Sequence, residues 1–316
     1  MGINCIKSRN ILGIGNLSPE EISFILDTAE SLKDILDRPI KKVPPLRGKT
    51  VVHLFFEPST RTRLSFELAA KRLSADTVSI SAAASSVVKG ESLIDTARNV
   101  EAMRPDVIVM RHSYSGAPHL LARHVNAAII NAGDGTNEHP SQALLDVFTV
   151  REHLGKIKGL KIAIIGDILH SRVAHSDIMA FSRMGAEVFV TGPATMLPPQ
   201  AEVLGARVVM TIEEALEEAD VIIALRIQKE RQGESLIPSE REYARLFGIS
   251  RDTVRLARPG ALIMHPGPIN RGIEMTPEIA DGPYSVILDQ VTNGVAIRMA
   301  LLSLLLADTS RKSAEQ

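Results

Sequence analysis

Thr50-Val51-Val52-His53-Leu54-Phe55-Phe56-Glu57-Pro58-Ser59-Thr60-Arg61-Thr62-Arg63-Leu64-Ser65-Phe66-Glu67-Leu68 decides the fold. The β-branched and aromatic run Thr50–Phe56 reads as a buried strand. Turn chemistry at Pro58-Ser59 then hands the chain to a helix over Thr60–Leu73, whose apolar face includes Leu64, Phe66 and Leu68. The same unit recurs as Val107–Met110 with Pro118–Val125, and as Ala127–Asn131 with Ser141–His153. After Gly155-Lys156-Ile157-Lys158-Gly159 the rhythm restarts, with strands expected at Lys161–Ile165, Glu187–Val190, Ala206–Met210, Val221–Leu225 and Ala261–Met264. Strands alternating with helices imply parallel sheets covered by helices. The expected fold class is therefore α/β, as two Rossmann-like α/β domains with parallel sheets joined near residue 155. Upstream, Ser18-Pro19-Glu20-Glu21 supplies an N-cap, a first-turn proline and a capping-box glutamate for a helix reaching about Asp37. Ser81-Ala82-Ala83-Ala84-Ser85-Ser86 reads as a mobile loop.

Bulk properties narrow the function classes. The 316 residues are 45% hydrophobic, ample for two filled cores. Lys plus Arg number 36 against 37 Asp plus Glu, so no global field favours nucleic acid or an anionic membrane, and an anion site must be built locally. The single cysteine, Cys5, excludes an internal disulfide framework and a thiolate zinc cage, and it points to a reducing, cytoplasmic location. Lys7 and Arg9 are not followed by an uninterrupted apolar run, so no signal peptide is expected. Met299–Ala307, the most apolar stretch, falls well short of the ~20 residues a membrane helix needs and is expected as a buried helix.

The densest chemistry is Glu57-Pro58-Ser59-Thr60-Arg61-Thr62-Arg63, between a strand and a helix. Free backbone N–H groups and the positive end of the helix dipole meet three hydroxyls and two guanidiniums there, which suits a phosphate. The Gly-Lys-Ser/Thr signature of a nucleotide P-loop is missing, so a small phosphate compound is expected. Gly13-x-Gly15 lacks the glycine pattern of a dinucleotide fold. His170 and His175 lack the context of a zinc motif. Neither a cofactor nor a metal is expected.

The stretch Phe55 to Glu67 resembles the carbamoyl-phosphate motif of the aspartate and ornithine carbamoyltransferases. The likeness extends along most of the chain: Lys89-Gly90-Glu91-Ser92, Val109-Met110-Arg111-His112, Asn131-Ala132-Gly133-Asp134-Gly135 leading to His139-Pro140-Ser141-Gln142, the His-Ser-Arg loop at Arg172, Arg226-Ile227-Gln228-Lys229-Glu230-Arg231, and His265-Pro266-Gly267-Pro268. The resemblance implies a carbamoyl-phosphate-binding domain over 1–150 plus a C-terminal helix at 290–316, and an aspartate-binding domain over 151–289. The active site would lie in the inter-domain cleft.

By the same resemblance, Ser59, Thr60, Arg61, Thr62 and Arg111 hold the phosphate, and Thr62, Arg111 and His139 surround the carbamoyl oxygen. Gln142 and the backbone at Pro266 and Gly267 orient the carbamoyl NH2. The catalytic set is Arg61, Thr62, Arg111 and His139. Arg172, Arg226 and Gln228, with Lys89 and Gly267, receive the aspartate carboxylates, and Glu57 pairs with Arg172 to couple the domains. Ser85 and Lys89 enter a neighbouring subunit's site, giving a homotrimer with shared active sites. Gly267 stands where some relatives carry leucine or alanine, and Pro58 where some carry alanine. Ornithine enzymes carry a His-Cys-Leu-Pro motif where this chain has His265-Pro266-Gly267-Pro268. Two arginines suit a dicarboxylate and repel a cationic side chain. The segment 265–272 resembles relatives that assemble with dihydroorotase-like chains; regulatory chains are the other partner class to consider.

Overall fold

The computed structural model describes residues 5–81, 90–199, 201–227 and 236–314. Its elements run α1 (Pro19–Lys33), β1 (Thr50–Phe55), α2 (Thr60–Arg72), β2 (Asp76–Ser81), α3 (Leu93–Ala102), β3 (Val107–His112), α4 (Ala117–Leu121), β4 (Ala128–Asp134), α5 (Pro140–Leu154), β5 (Lys161–Ile165), α6 (Arg172–Arg183), β6 (Glu187–Thr191), β7 (Ala206–Val208), α7 (Ile212–Leu216), β8 (Val221–Ala224), α8 (Glu240–Phe247), α9 (Arg251–Val254), β9 (Leu262–Met264), α10 (Pro277–Ala280) and α11 (Ile287–Ala314). The chain forms two compact units, Met1–Leu144 with Thr292–Gln316, and Leu145–Val291.

The first unit holds a parallel four-stranded sheet in the order β2-β1-β3-β4. β1, β3 and β4 are buried along nearly their whole length, as parallel strands covered on both faces must be, whereas the edge strand β2 is largely exposed. On one face Val52, Leu54, Ile108, Met110 and Ile129 pack against Ala97 and Val100 of α3 and Leu121 of α4. Arg298 of α11 lies over the Phe66 ring, 5.1 Å from its centre, so the C-terminal helix packs on α2. α1 starts as its sequence requires: Glu21 N–H donates to the Ser18 hydroxyl and Ser18 N–H returns to the Glu21 carboxylate, with Pro19 in the first turn. The helix gives way to a 3-10 turn at Asp34–Asp37.

The second unit holds a parallel five-stranded sheet in the order β7-β6-β5-β8-β9. Ala163, Ile165, Ile222, Ala224 and Ile263 face a helical layer that includes Ile212, Ala215 and Leu216 of α7. None of the described helices is long and apolar enough to cross a membrane. β2 is an edge strand that the sequence reading missed, and it extends to Ser81; residues 82–86 of the expected loop lie outside the described residues.

In both sheets the first strand sits inside the order, and the chain leaves it once in each direction. The topological switch points therefore fall between β1 and β3, and between β5 and β8. Open α/β sheets bind ligands beyond the carboxyl ends of strands at such points, where two loops diverge and leave a crevice.

Candidate active site

At the first switch point the phosphate motif follows β1. Ser59 is the N-cap of α2, yet its side chain makes no cap hydrogen bond. Thr60 and Arg61 are exposed, whereas Thr62 is buried. Arg111 projects from the end of β3, where the pairing with β4 slips register between Met110 and His112. Such an irregularity re-aims a strand-end side chain. Phe56 N–H donates to the Arg111 carbonyl at 2.8 Å, tying the ends of the two strands together. The Arg111 guanidinium meets Glu57 Oε1 at 2.7 Å and donates to the Ala132 carbonyl at 3.3 Å, and only 11% of its side chain is exposed. Glu57, for which the resemblance implies pairing with Arg172, is thus bonded to Arg111 inside the first unit. Burial holds His112 below its ordinary range, and its Nδ1 accepts the Tyr114 N–H, so the ring is neutral with its proton on Nε2.

His139 is buried immediately before α5, and its carbonyl accepts the Gln142 N–H at 2.9 Å. The residue that arranges this approach is Asp134, fully buried at the end of β4. Its carboxylate accepts from Asn131 Nδ2 at 2.8 Å, Gly116 N at 2.7 Å, Glu138 N at 3.2 Å and Asn137 Nδ2 at 3.1 Å. One side chain therefore fixes the loop after β3, which follows Arg111, and the loop after β4, which ends at His139. Glu138 next accepts Ile14 N–H at 2.7 Å. A Cβ on Gly13 would collide with that carboxylate, so the Gly13-x-Gly15 pattern marks a close approach of backbone to Glu138. Asp134 and Glu138 are candidate functional positions that the sequence motifs alone do not single out.

At the second switch point Arg172 opens α6, buried, behind the N-cap Ser171, whose hydroxyl accepts from Ala174 N–H. Arg226 follows β8, half-buried. The backbone next to it is held by Glu274, nearly fully buried, whose Oε1 accepts Ile227 N–H at 3.1 Å while its two oxygens take Asn270 Nδ2 and Asn270 N–H at 2.7 Å each. Burial raises the Glu274 carboxyl and these bonds oppose the shift. Pro266 and Gly267 follow β9; Gly267 N–H donates to His265 Nδ1 at 2.7 Å, and His265 N–H donates to Gln290 Oε1 at 3.0 Å. Ser85, Lys89 and Gln228 lie outside the described residues. Among the described residues no group of three or more His, Cys, Asp and Glu is placed to hold a metal ion.

The arrangement gathers guanidinium, hydroxyl and helix-terminal donors at one switch point and two arginines at the other. Comparison with known proteins also divides the chain in two. Residues 9–152 match the carbamoyl-P binding domain model of the aspartate/ornithine carbamoyltransferases, and residues 158–305 match their Asp/Orn binding domain model. An aspartate carbamoyltransferase catalytic subunit of Pelotomaculum thermopropionicum is 64% identical over 304 residues, covering 96% of this chain and 98% of that relative. Among solved structures, the ornithine carbamoyltransferase of Pyrococcus furiosus superimposes with a TM-score of 0.86 at 32% identity, covering 96% of this chain and 98% of the other. Trypanosoma cruzi aspartate transcarbamoylase in complex with N-(phosphonacetyl)-L-aspartic acid superimposes with a TM-score of 0.85 at 31% identity, covering 93% of this chain and 94% of the other. On the two domain models and the near-full-length relatives, the chain belongs to the aspartate/ornithine carbamoyltransferase family.

Proposed function

We infer that the chain transfers the carbamoyl group of carbamoyl phosphate to the amino group of L-aspartate, giving N-carbamoyl-L-aspartate and phosphate, an early step toward pyrimidines. The observation that carries this reading is the pair of arginines, Arg172 and Arg226, following the two strands that flank the second switch point. A dicarboxylate acceptor needs two cations, and the 64% identical relative named for aspartate supports the same acceptor.

The first unit is the carbamoyl-phosphate-binding domain in this reading. Ser59, Thr60, Arg61, Thr62 and Arg111 bind the phosphate, and the bond between Glu57 and Arg111 orients one guanidinium before the substrate arrives. The amine attacks the carbonyl carbon; the C–N bond forms, the C–O bond to phosphate breaks, and the amine proton leaves with the phosphate. Thr62, Arg111 and His139 stabilise charge on the carbamoyl oxygen, and the cationic cluster stabilises the leaving phosphate. Gln142 and the carbonyl of Pro266 accept from the carbamoyl NH2 and so fix the plane open to attack. Orientation of this kind contributes roughly 7–11 kcal/mol in well-ordered cases. No covalent nucleophile is needed.

The second unit binds aspartate through Arg172, Arg226 and Gln228, with the Gly267 backbone. Ser85 and Lys89 complete a neighbouring subunit's site, which makes the working assembly a trimer, and the reducing environment implied by a lone cysteine makes it cytoplasmic. Association with dihydroorotase-like or regulatory chains is tested by sizing the chain alone and in mixtures. The function itself is tested by carbamoyl transfer with L-aspartate and L-ornithine as rival acceptors. Turnover with aspartate alone is expected, and turnover with ornithine overturns the reading of the second unit.

A further inference from the structure

The second unit contains a chain of buried side chains that ends on the backbone carrying Pro266. Asp146 of α5 and Asp177 of α6 are both 0% exposed, and Gln290 of α11 is 3% exposed. Gln290 Nε2 donates to Asp146 Oδ1 at 2.6 Å, and its Oε1 accepts the His265 N–H at 3.0 Å. The Asp177 carboxyl lies within hydrogen-bonding reach of Asp146, and neither of its oxygens meets a donor. A buried acid with no donor around it is costly, and an apolar side chain of that size would avoid the cost.

Two carboxylates sealed together cannot both ionise, so the pair keeps a proton. Its location matters because Gln290 carries a donor at one end of its amide and an acceptor at the other. If Asp146 is the acceptor-only carboxylate, the Gln290 NH2 must turn toward it and the Gln290 carbonyl is left facing the His265 N–H. If Asp146 kept the proton and donated it to Gln290, the amide would reverse and set its NH2 against that N–H. A neutral Asp177 donating to Asp146 enforces the first arrangement, the one observed. Burial and the Asp146 charge both push the Asp177 carboxyl upward, in keeping with this.

We propose that Asp177 is a positioning residue for carbamoyl transfer, acting through Asp146 and Gln290 on the His265 amide and so on the Pro266 carbonyl. The proposal rests on the function inferred above. Asp177→Asn keeps a donor toward Asp146, and its kcat stays within about twofold of wild type. Asp177→Leu keeps the branched outline, with bulkier methyl ends, and removes the donor, and kcat falls about 10- to 100-fold, as expected for slight misplacement of an orienting group. The KM for aspartate stays near the wild-type value in both variants. Asp177→Leu combined with Gln290→Leu loses no more activity than Gln290→Leu alone, because both cut one chain. The His265 amide exchanges its hydrogen faster in both leucine variants than in wild type. If Asp177→Leu does not fold, Gln290→Leu by itself must show the fall in kcat and the faster exchange. Wild-type kcat in a folded leucine variant, equal damage from Asn and Leu at position 177, or costs that multiply in the double variant overturn the inference alone. An inactive wild-type chain overturns the functional reading and this inference with it.

Discussion

Replacing Asp134 by asparagine changes one atom and tests how the first unit aims its loops. Oδ1 accepts from Asn131 Nδ2 and Glu138 N, and Oδ2 accepts from Gly116 N and Asn137 Nδ2. An amide presents a single oxygen, so its NH2 must face either the Gly116 N–H or the Glu138 N–H. Neither backbone donor can turn away, and Asn131 is locked because its own Oδ1 accepts the Gly133 N–H. Only Asn137 can reverse its amide to compensate. The variant therefore loses one charge-assisted bond and faces a donor with a donor, about 2–4 kcal/mol. In a unit of this size that corresponds to a fall in Tm of roughly 5–15 °C. The same loss loosens the loops that follow Arg111 and lead to His139, so kcat should drop about 10- to 100-fold. Thermal unfolding and steady-state carbamoyl transfer measure the two effects. A Tm within about 2 °C of wild type with unchanged kcat would falsify the claim that Asp134 organises both loops.

Arg61→Ala removes a guanidinium from the proposed leaving phosphate, and kcat is expected to fall by about 10³-fold or more in the transfer assay; near-normal turnover would remove Arg61 from the site. Arg226→Ala should raise the KM for aspartate about 30-fold or more, the cost of stranding a bound carboxylate, with little change for carbamoyl phosphate; an unaltered aspartate curve contradicts the assignment. Glu274→Gln keeps the shape but turns one of the two oxygens that serve Ile227 N–H, Asn270 N–H and Asn270 Nδ2 into a donor. It should therefore copy Arg226→Ala in kind and fall short of it in size, and a change confined to carbamoyl phosphate would refute this. Asp177 gives a pH test. Its folded value is raised, first by burial and then by the Asp146 charge, whereas in the unfolded chain it titrates as an ordinary aspartate. Its contribution is then complete below the unfolded value and is lost as pH rises toward the folded one. Asp177→Asn should accordingly gain in urea midpoint relative to wild type between pH 5 and pH 8, about the range over which an unfolded aspartate is already ionised. A difference that is constant across that range contradicts a retained proton.

The strands were legible where burial on both faces leaves little but β-branched and aliphatic residues. Lys161–Ile165 is β5 to the residue, and Thr50–Phe55 and Val221–Ala224 fall one residue short of their expected ends. The reading weakened at the sheet edges. β2 alternates Asp76, Thr77, Val78, Ser79, Ile80, Ser81, a pattern that competes poorly with a loop when its single neighbour is unknown. β7 stops at Val208, short of the expected Met210, which is exposed. Of the proposed site, the hydroxyls and guanidiniums at the strand-to-helix turn could be read from their clustering in sequence. The residues that aim them could not. Asp134, Asp146, Glu274 and Gln290 each make at least one bond to a distant segment, as between Gln290 and Asp146 at a separation of 144 residues, and such pairs leave no local signal.

Fold likeness alone does not choose the acceptor, since solved ornithine and aspartate enzymes superimpose on this chain almost equally well. Both reactions begin from the same phosphate compound, which explains why one arrangement around β1 and β3 serves either. On the proposed reading, side chains beyond β5 and β8 contribute to the choice, and there the backbone supplies position while the residue type supplies sign. Arginine at 172 and 226 places positive charge at both flanks of the switch point, and Glu274 holds the backbone beside Arg226 through the Ile227 N–H. An acceptor with a cationic side chain would meet like charge in a partly desolvated setting, where repulsion costs more than it would in water. Discrimination on this account is electrostatic and should weaken as ionic strength rises, whereas discrimination by shape would not. Measuring the ratio of aspartate to ornithine turnover across a salt series separates the two, and a ratio that stays constant would assign the choice to shape.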